Sequence, residues 1–284
     1  MATLIDGKEI SAKVKAEAAK EAETLRERGV IPTIAVILVG DNSASKVYVR
    51  NKIRACEQTG IRSLKYELPQ DSSQEELLTV IRELSERNDV HGILVQLPLP
   101  KQIDEQAVIR AIPPQKDVDV FHPENVGKLL TGGHSMAPCT PAGIIRLLEE
   151  TGMEIAGKHC VIIGRSNIVG KPMALLMLEK NATVTVCHSK TENLAEMTKQ
   201  ADILIAAVGK PKFVTADMVK GGAVVIDVGM DRDENGKLCG DVNFEQVKEK
   251  CSFITPVPGG VGPMTVAMLM KNTVLAAGLQ NGEH

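Results

Sequence analysis

The sequence predicts an α/β fold in two domains, each built around a parallel sheet. Short apolar runs rich in Val and Ile alternate with amphipathic helical segments along most of the chain. One Pro/Gly-rich stretch interrupts this alternation near the middle, and 284 residues exceed the usual length of a single domain. Near-continuous apolar strands separated by helices are typical of parallel sheets covered on both faces.

The first half of the chain predicts three helices alternating with three strands. Gly29 and Gly60 end the first two helices, and Ser73 with Glu76 forms a capping box at the start of the third. The helices are predicted over residues 6–29, 43–60 and 73–88, and the strands over 33–40, 63–69 and 90–100.

The second half repeats the rhythm after a stretch with many turn signals, residues 112–143, which we interpret as an interdomain region. Thr140 caps a helix that ends at Gly152. Five short strands follow, the first three with helical segments after them, and predict a doubly wound, Rossmann-type domain. The strands are predicted over 159–164, 183–189, 202–209, 223–229 and 253–260.

The last apolar segment, residues 264–278, predicts a helix too hydrophobic to stand alone, and we expect it to pack back on the first domain. The domains are therefore predicted as 1–138, joined by the C-terminal helix 264–284, and 139–263.

Composition excludes several classes of protein. A formal net charge of -3 without a Lys/Arg-rich block argues against nucleic-acid binding and against a polybasic membrane patch. Six cysteines form no CxxC pair and no zinc spacing, so we expect no metal site and a reducing compartment. The N-terminus has no apolar signal segment, and we expect a cytoplasmic protein without a membrane span.

The stretch VIIGRSNIVGKP, residues 161–172, follows an apolar strand as phosphate-binding loops do. It is neither G-x-G-x-x-G nor G-x-x-x-x-G-K-[ST]. Gly164 suits a tight turn, Gly170 suits close packing of helix on strand, and a helix beginning near Ile168 places backbone N–H groups for a phosphate. A plain α/β turn with two glycines explains the loop equally well.

The next strand shifts the balance towards a nucleotide with a 2′-phosphate. Folds that prefer NAD carry an acid at the end of this strand, whereas here it ends in His188, Ser189 and Lys190. Hydroxyl and cationic groups donate hydrogen bonds to a phosphate, and Arg165, in the turn after the preceding strand, can reach the same phosphate. We therefore predict NADP as the cofactor, with His188 as an ordinary strand-end residue.

Polar side chains of the first domain suggest a second site. Tyr48 and Lys52 share one helix face, where a phenol and an amine can relay a proton, although a solvated face is the commoner explanation. Gln96 closes an apolar strand, where ligand crevices of open α/β sheets form. Asp119 lies near the predicted domain junction and can also be an ordinary turn acid.

A set of motifs follows one order along nearly the whole chain. They are YVRNK, GILVQLPLP, KDVDVFHPENVG, PCTPAG, GRSNIVGKP, CHSKT, DVG and TPVPGGVGPMT. Together they resemble the bifunctional methylenetetrahydrofolate dehydrogenase/cyclohydrolase family, and GRSNIVGKP and PGGVGPMT are the most specific of them. The resemblance implies oxidation of 5,10-methylenetetrahydrofolate with NADP, then hydrolysis of the methenyl product to 10-formyltetrahydrofolate.

The resemblance also implies roles for individual residues. Lys52 is the central catalytic group, more for hydrolysis than for hydride transfer, and Gln96 hydrogen-bonds it. Tyr48 stacks near the folate, and Asp119 accepts hydrogen bonds from the pterin edge. Further substrate-binding residues are Val95, Leu97, Pro258, Gly259, Gly260, Val261 and Gly262, and the cofactor-binding residues are Gly164, Arg165, Ser166, Ser189 and Met230. A homodimer formed through the cofactor domain is implied as well.

The chain departs from the family pattern at two positions. Val120 stands where the family commonly has Gly, and Val would be strained there if the position needs a positive φ. Asn243 stands where an acid is common and has no functional consequence that we assign. Two other functions remain open at this point: an NADP-dependent dehydrogenase of another small metabolite, as in shikimate-type enzymes, and a non-catalytic nucleotide-sensing module.

Overall fold

The computed structural model describes residues 2–282 as alternating strands and helices. The strands are β1 (Thr3–Leu4), β2 (Thr33–Val39), β3 (Arg62–Leu68), β4 (Gly92–Val95), β5 (His159–Ile163), β6 (Thr183–Cys187), β7 (Ile203–Ala206), β8 (Val224–Asp227), β9 (Asp231–Arg232), β10 (Leu238–Cys239) and β11 (Phe253–Ile254). The helices are α1 (Gly7–Glu27), α2 (Ser43–Thr59), α3 (Gln74–Glu86), α4 (Glu105–Ala111), α5 (Pro123–Thr131), α6 (Cys139–Glu149), α7 (Gly170–Glu179), α8 (Leu194–Thr198), α9 (Phe244–Val247) and α10 (Val261–Gln280).

The chain divides into two compact units, and both are discontinuous in sequence. The N-terminal unit comprises Ala12–Cys139 and the residues from Val266 on; the C-terminal unit comprises Thr140–Thr265 and the residues up to Ser11. The predicted first domain, 1–138, differs from this division at its start. The reason is that β1 pairs in parallel with β11, which places the first residues in the sheet of the C-terminal unit.

The sheet of the N-terminal unit is parallel, in the order β3-β2-β4. Every residue of the central strand β2 is buried, because side chains from both of its faces enter hydrophobic clusters. Ile34 and Leu38 share one cluster with Leu269 and Val274 of α10. This contact confirms the prediction that the C-terminal helix packs back on the first domain.

Capping residues end the helices of this unit largely where the sequence predicts. Gly60 follows α2 with φ 70°, a left-handed conformation that glycine adopts without strain. Ser73 and Glu76 form the predicted capping box at the start of α3, each side chain bonding the backbone N–H of the other.

The middle stretch is a structured part of the N-terminal unit up to Cys139, so its prediction as an interdomain region is wrong over that length. It contains α5, which has Pro123 at its first turn and a His122 side chain that accepts from the Glu124 N–H. Gly132, with φ 76°, ends this helix. Its nine residues are too few to show a clear helical period in the sequence.

The sheet of the C-terminal unit is also parallel, in the order β1-β11-β8-β7-β5-β6. This order confirms the doubly wound type. The helical segment predicted after the third strand is a single 3-10 turn, Ala216–Met218. The predicted last strand, 253–260, is shortened to β11 because Pro256 and Pro258 lack the N–H that a strand ladder needs.

Lys116 is a buried cation, 5% exposed, that caps the carboxyl end of α3. Its Nζ donates to the carbonyl oxygens of Leu84 at 3.3 Å, Ser85 at 2.8 Å and Arg87 at 2.7 Å. An ammonium supplies three N–H donors, and helix ends leave carbonyls without intrahelical partners. Lys116, in the KDVD motif, therefore serves the fold.

Replacing Lys116 with Met should lower the free energy of unfolding by about 1–3 kcal/mol, because the carbonyls at the end of α3 lose their donors. Urea denaturation monitored by circular dichroism measures this change. Lys101→Met, at an exposed position of the same unit, is the matched control. Equal stability of the two variants would show that the Lys116 bonds contribute nothing.

Candidate active site

A direct hydrogen bond joins two of the predicted site residues in the N-terminal unit. The Nζ of Lys52, on α2, donates to Oε1 of Gln96 at 3.1 Å. Gln96 follows β4, and its backbone N–H donates to the carbonyl of Ile37 on β2 at 2.9 Å. Its Nε2 donates to the carbonyl of Leu97 at 2.7 Å, so the side-chain oxygen faces the amine. The arrangement presents a partly buried, fixed amine at the carboxyl end of a parallel strand.

Tyr48 lies one helical turn before Lys52 on the same face of α2. Its side chain remains accessible, with 37% of the residue exposed. Partial burial raises the pKa of the phenol, which stays protonated near neutral pH. Tyr48 therefore presents an aromatic ring and a hydroxyl donor beside the amine.

Asp119 is the third polar group of this region and is partly buried. Burial raises the pKa of its carboxyl, and the positive charge of Lys52 opposes that rise. Lys52 and Asp119 thus lie within electrostatic range of each other, as the shared-site interpretation requires.

Val120 has φ 63°, so this position does adopt the left-handed conformation that glycine would adopt without strain. The side chain is 1% exposed and belongs to the hydrophobic core of the unit. A β-branched residue at positive φ is strained. The backbone immediately after Asp119 is therefore held in an unfavourable conformation by its surroundings.

Asp117 anchors this segment, and sequence reasoning missed it. Its carboxylate accepts from the backbone N–H groups of Phe121 at 3.2 Å and His122 at 2.8 Å. Nδ2 of Asn125 donates to the same carboxylate at 2.9 Å. The i, i+2 spacing of the two acids in KDVD gives no signal for this role, because extended backbone would direct both side chains to the same side.

A small pocket adjoins Asp119 within the N-terminal unit. It lies at the carboxyl end of β4, and its lining includes Val95, Leu97, Asp117, Asp119 and Phe121. Its lining is apolar except for the carboxylates of Asp117 and Asp119. The predicted substrate residues Val95 and Leu97 therefore lie beside Asp119.

In the C-terminal unit, the glycines of the loop after β5 are required by close backbone contacts. Gly164 has φ 138°, and a Cβ there would lie 2.3 Å from the carbonyl oxygen of Ala207. A Cβ on Gly170 would lie 2.3 Å from the carbonyl oxygen of Gly164. Helix α7 begins at Gly170, two residues later than the start predicted near Ile168.

Ser166 explains the later start of α7. Its Oγ accepts from the backbone N–H groups of Val169 at 3.1 Å and Gly170 at 3.3 Å. These amides are therefore satisfied within the protein, which corrects the prediction that the first amides of the helix face a phosphate. The Ser166 hydroxyl hydrogen stays available as a donor, because its oxygen acts as the acceptor in both bonds.

The turns after β5 and β6 lie at the same edge of the sheet. Ile163 pairs with Cys187, and the N–H of Gly164 donates to the Cys187 carbonyl at 2.9 Å. Arg165 and Ser189, which follow these strands, are both exposed. A guanidinium and a hydroxyl group therefore follow neighbouring strands at this edge, and the end of β6 carries no acid. This donor set fits a phosphate group.

Two other polar residues of these turns have structural roles. Nδ1 of His188 accepts from the N–H of Lys190 at 3.2 Å, and the N–H of His188 donates to Oγ1 of Thr191 at 2.8 Å. Nζ of Lys171 donates to Oδ1 of Asn167 at 2.7 Å, one turn away. His188 is an ordinary strand-end residue, as the sequence predicts.

The glycine-rich segment Pro258–Gly262 is shaped by the chain itself. Gly259 has φ 110°, and a Cβ on Gly260 would lie 2.6 Å from the carbonyl oxygen of Pro256. The packing of the loop by itself therefore requires glycine at 260. The approach of this backbone to ligands stays a prediction. Val261 and Gly262 begin α10, and the methyl group of the exposed Met230 lies against Gly262.

Family models match both parts of the chain. Residues 5–119 match the catalytic domain of tetrahydrofolate dehydrogenase/cyclohydrolase, and residues 138–281 match the NAD(P)-binding domain of the same family. The chain belongs to the tetrahydrofolate dehydrogenase/cyclohydrolase family. The resemblance inferred from the motifs is thereby confirmed.

Individual members of the family are similar over nearly their whole length. The bifunctional protein FolD of Lachnoclostridium phytofermentans is 62% identical over 277 residues, covering 98% of each chain. The crystal structure of the bifunctional dehydrogenase/cyclohydrolase FolD from Campylobacter jejuni has a TM-score of 0.95 and 52% identity, covering 98% of this chain and 99% of that one. The Trypanosoma brucei FolD structure, complexed with NADP and an inhibitor, has a TM-score of 0.94 and 39% identity over 99% of each chain.

Residues 2–282 contain neither a metal-binding cluster nor a membrane-spanning helix. In that part of the chain no group of His, Cys, Asp or Glu side chains is arranged to hold a metal ion. No helix within the same residues is long and apolar enough to cross a membrane. All six cysteines are free thiols, five of them buried.

Proposed function

We propose that this chain oxidises 5,10-methylenetetrahydrofolate with NADP and then hydrolyses the 5,10-methenyl product to 10-formyltetrahydrofolate. The observation that carries the proposal is the hydrogen bond from Lys52 to Gln96, 3.1 Å long, beside Tyr48 and within range of Asp119. Family membership supports a folate substrate over the other small metabolites of shikimate-type dehydrogenases. A nucleotide-sensing module would have no use for a fixed amine at this place.

In the oxidation, bound NADP supplies the chemistry by accepting a hydride from the methylene carbon. Hydride transfer needs no base, so the protein contributes by orienting the folate. The Asp119 carboxylate accepts the amino and ring N–H groups of the pterin, and the Tyr48 ring packs beside it. Val95 and Leu97, which lie beside Asp119, would contact the flat ring system.

In the hydrolysis, Lys52 moves protons. A water oxygen bonds to the cationic methenyl carbon, and Nζ of Lys52, when deprotonated, takes the first proton that the water loses. The bond from that carbon to N5 then breaks as Lys52 returns this proton to N5. The remaining hydroxyl proton passes to solvent as the C–OH group becomes the formyl carbonyl. The Gln96 oxygen holds Nζ in place throughout and stabilises it when it is protonated.

The cofactor is held by residues of the C-terminal unit. Arg165, Ser166 and Ser189 offer a guanidinium and two hydroxyl donors that suit the 2′-phosphate of NADP. Gly164 allows the tight turn beneath it, and Met230 lies on the nicotinamide side. An acid in place of Ser189 would favour the free 2′-hydroxyl of NAD.

Substrate binding depends on the ionisation of Asp119. The pterin N–H groups need a carboxylate acceptor, which is the form present above the pKa of Asp119. Because burial raises that pKa, folate affinity is lost as pH falls through a higher value than an exposed aspartate would show.

The assembly and location of the protein are part of the proposal. We infer a homodimer formed through the C-terminal unit, supported by β6, which ends the strand order of its sheet and carries the exposed Val186. A cytoplasmic location is supported by the free thiols, and the net charge of -3 supports function without nucleic acid.

Turnover with methylenetetrahydrofolate tests the proposed function directly. With NADP present, absorbance should report both reduced cofactor and methenyl product, whose signal then decays as the ring opens. NAD should support slower turnover, because it lacks the 2′-phosphate that Arg165 and Ser189 bind. Failure to turn over with either cofactor would overturn the proposal, and faster turnover with NAD would overturn the cofactor assignment.

Replacing Lys52 with Met should reduce hydrolysis of methenyltetrahydrofolate by about 100-fold to 10,000-fold, the usual contribution of a general base. Hydride transfer should fall less, since it needs no proton acceptor. Initial rates of each half-reaction measure the two effects. Lys46→Met, on the same helix but paired with Asp41, is the control. Loss of dehydrogenase with intact cyclohydrolase would reverse the assignment.

Replacing Arg165 with Ala should weaken NADP binding by about 10-fold while leaving NAD within about two-fold, because one charge-assisted contact to the 2′-phosphate is lost. Titration calorimetry with both cofactors measures the difference. Lys171→Ala, which removes a nearby cation bonded to Asn167, should affect neither cofactor. Equal weakening of NADP and NAD would leave Arg165 as a general turn residue.

A further inference from the structure

Asn272 is a buried polar residue in the largely apolar helix α10, and the proposed reaction does not use it. It is 4% exposed. Its Nδ2 donates to the carbonyl oxygens of Val118 and Ala137, each at 2.9 Å. A buried amide is costly unless its donors are satisfied, and here both hydrogens of the NH₂ group have carbonyl acceptors. Asn272 therefore ties α10 to the backbone just before Asp119.

The carbonyl of Val118 belongs to the peptide group that leads into Asp119. Besides Asn272, the thiol of Cys139 donates to this carbonyl at 3.4 Å. The orientation of a peptide group is fixed when its carbonyl is held by directional bonds. Asn272 of α10 therefore fixes the backbone on the N-terminal side of Asp119.

The backbone on the other side of Asp119 is fixed by Asp117. Its carboxylate accepts from the N–H groups of Phe121 and His122, and its carbonyl accepts from the N–H of Val120 at 3.3 Å. Between the two anchors lies Val120, at φ 63°. Such a conformation is strained for a β-branched residue and persists where the surroundings over-determine it.

We propose that Asn272 is a positioning residue for Asp119, which holds the 118–120 backbone against the strain at Val120 and so aims the carboxylate at the pterin. The part that concerns the pterin rests on the proposed function. When the hydrogen bonds from Asn272 are lost, Val120 can relax towards negative φ, and this rotation reorients the Asp119 side chain. An error of about 1 Å in a positioning group is enough to impair catalysis.

The test compares Asn272→Ala with a matched variant on the same helix. Nε2 of Gln280 also donates to two backbone carbonyls, those of His91 at 2.8 Å and Gln115 at 3.0 Å, but not to the 118–120 segment. Asn272→Ala should raise KM for methylenetetrahydrofolate about 10-fold and leave KM for NADP within about two-fold. Gln280→Ala should leave both KM values within about two-fold, and an equal rise of folate KM in the two variants would overturn the proposal.

Val120→Gly separates positioning from general loss of stability. Glycine adopts positive φ without strain, so the backbone no longer needs to be held there. The fall in Tm caused by Asn272→Ala should therefore be smaller in the Val120→Gly background, and the double variant should recover part of the folate KM. Additive Tm changes would show that Asn272 does not act against the strain.

The comparison of Tm among the wild type, the two single variants and the double variant, here called the Tm cycle, does not depend on the reaction. If the wild-type protein does not turn over methylenetetrahydrofolate, the proposed function fails, and the Tm cycle still decides whether Asn272 holds the 118–120 backbone. If the wild-type protein turns over but Asn272→Ala and Gln280→Ala behave alike, the positioning role fails and the function stands.

Discussion

The parallel pairing of β2 with β4 is the constraint on which the chemistry of the N-terminal unit depends. It places Gln96, the residue after β4, beside α2, the helix that follows β2. The side chain of Gln96 can therefore accept a hydrogen bond from Lys52 and hold its Nζ in place. The backbone bond from Gln96 to Ile37 continues the ladder one residue beyond the strand. A slip of one residue would turn Gln96 to the opposite face and separate the pair.

Both units hold their reactive groups by bonding polar side chains to the main chain. Asp117 and Asn272 bind backbone atoms around Asp119, while Ser166 and His188 bind backbone amides near Arg165 and Ser189. Each of these bonds satisfies a backbone group that a loop would otherwise expose to water or leave unpaired. The loops can therefore carry function without being mobile in these places.

The sequence predicts local features well and long-range anchoring poorly. The hydrogen bond between Lys52 and Gln96 is implied by the family resemblance. The fold class and the capping box at Ser73 follow from periodicity and local motifs. The role of Asn272 does not, because its partner Val118 lies 154 residues away and offers a carbonyl that every residue type has. The sequence also does not predict that Ser166 caps α7. The N–H groups from which its hydroxyl accepts are identified only when the first residue of α7 is known.

The division of the chain has a consequence for synthesis. The core of the N-terminal unit includes Leu269, Met270 and Val274 of α10, which follow the whole of the C-terminal unit in sequence. All residues of the C-terminal unit, which ends at Thr265, are therefore made before this part of α10. During translation the N-terminal unit keeps an open apolar face until these residues are made, and it depends on them to finish folding.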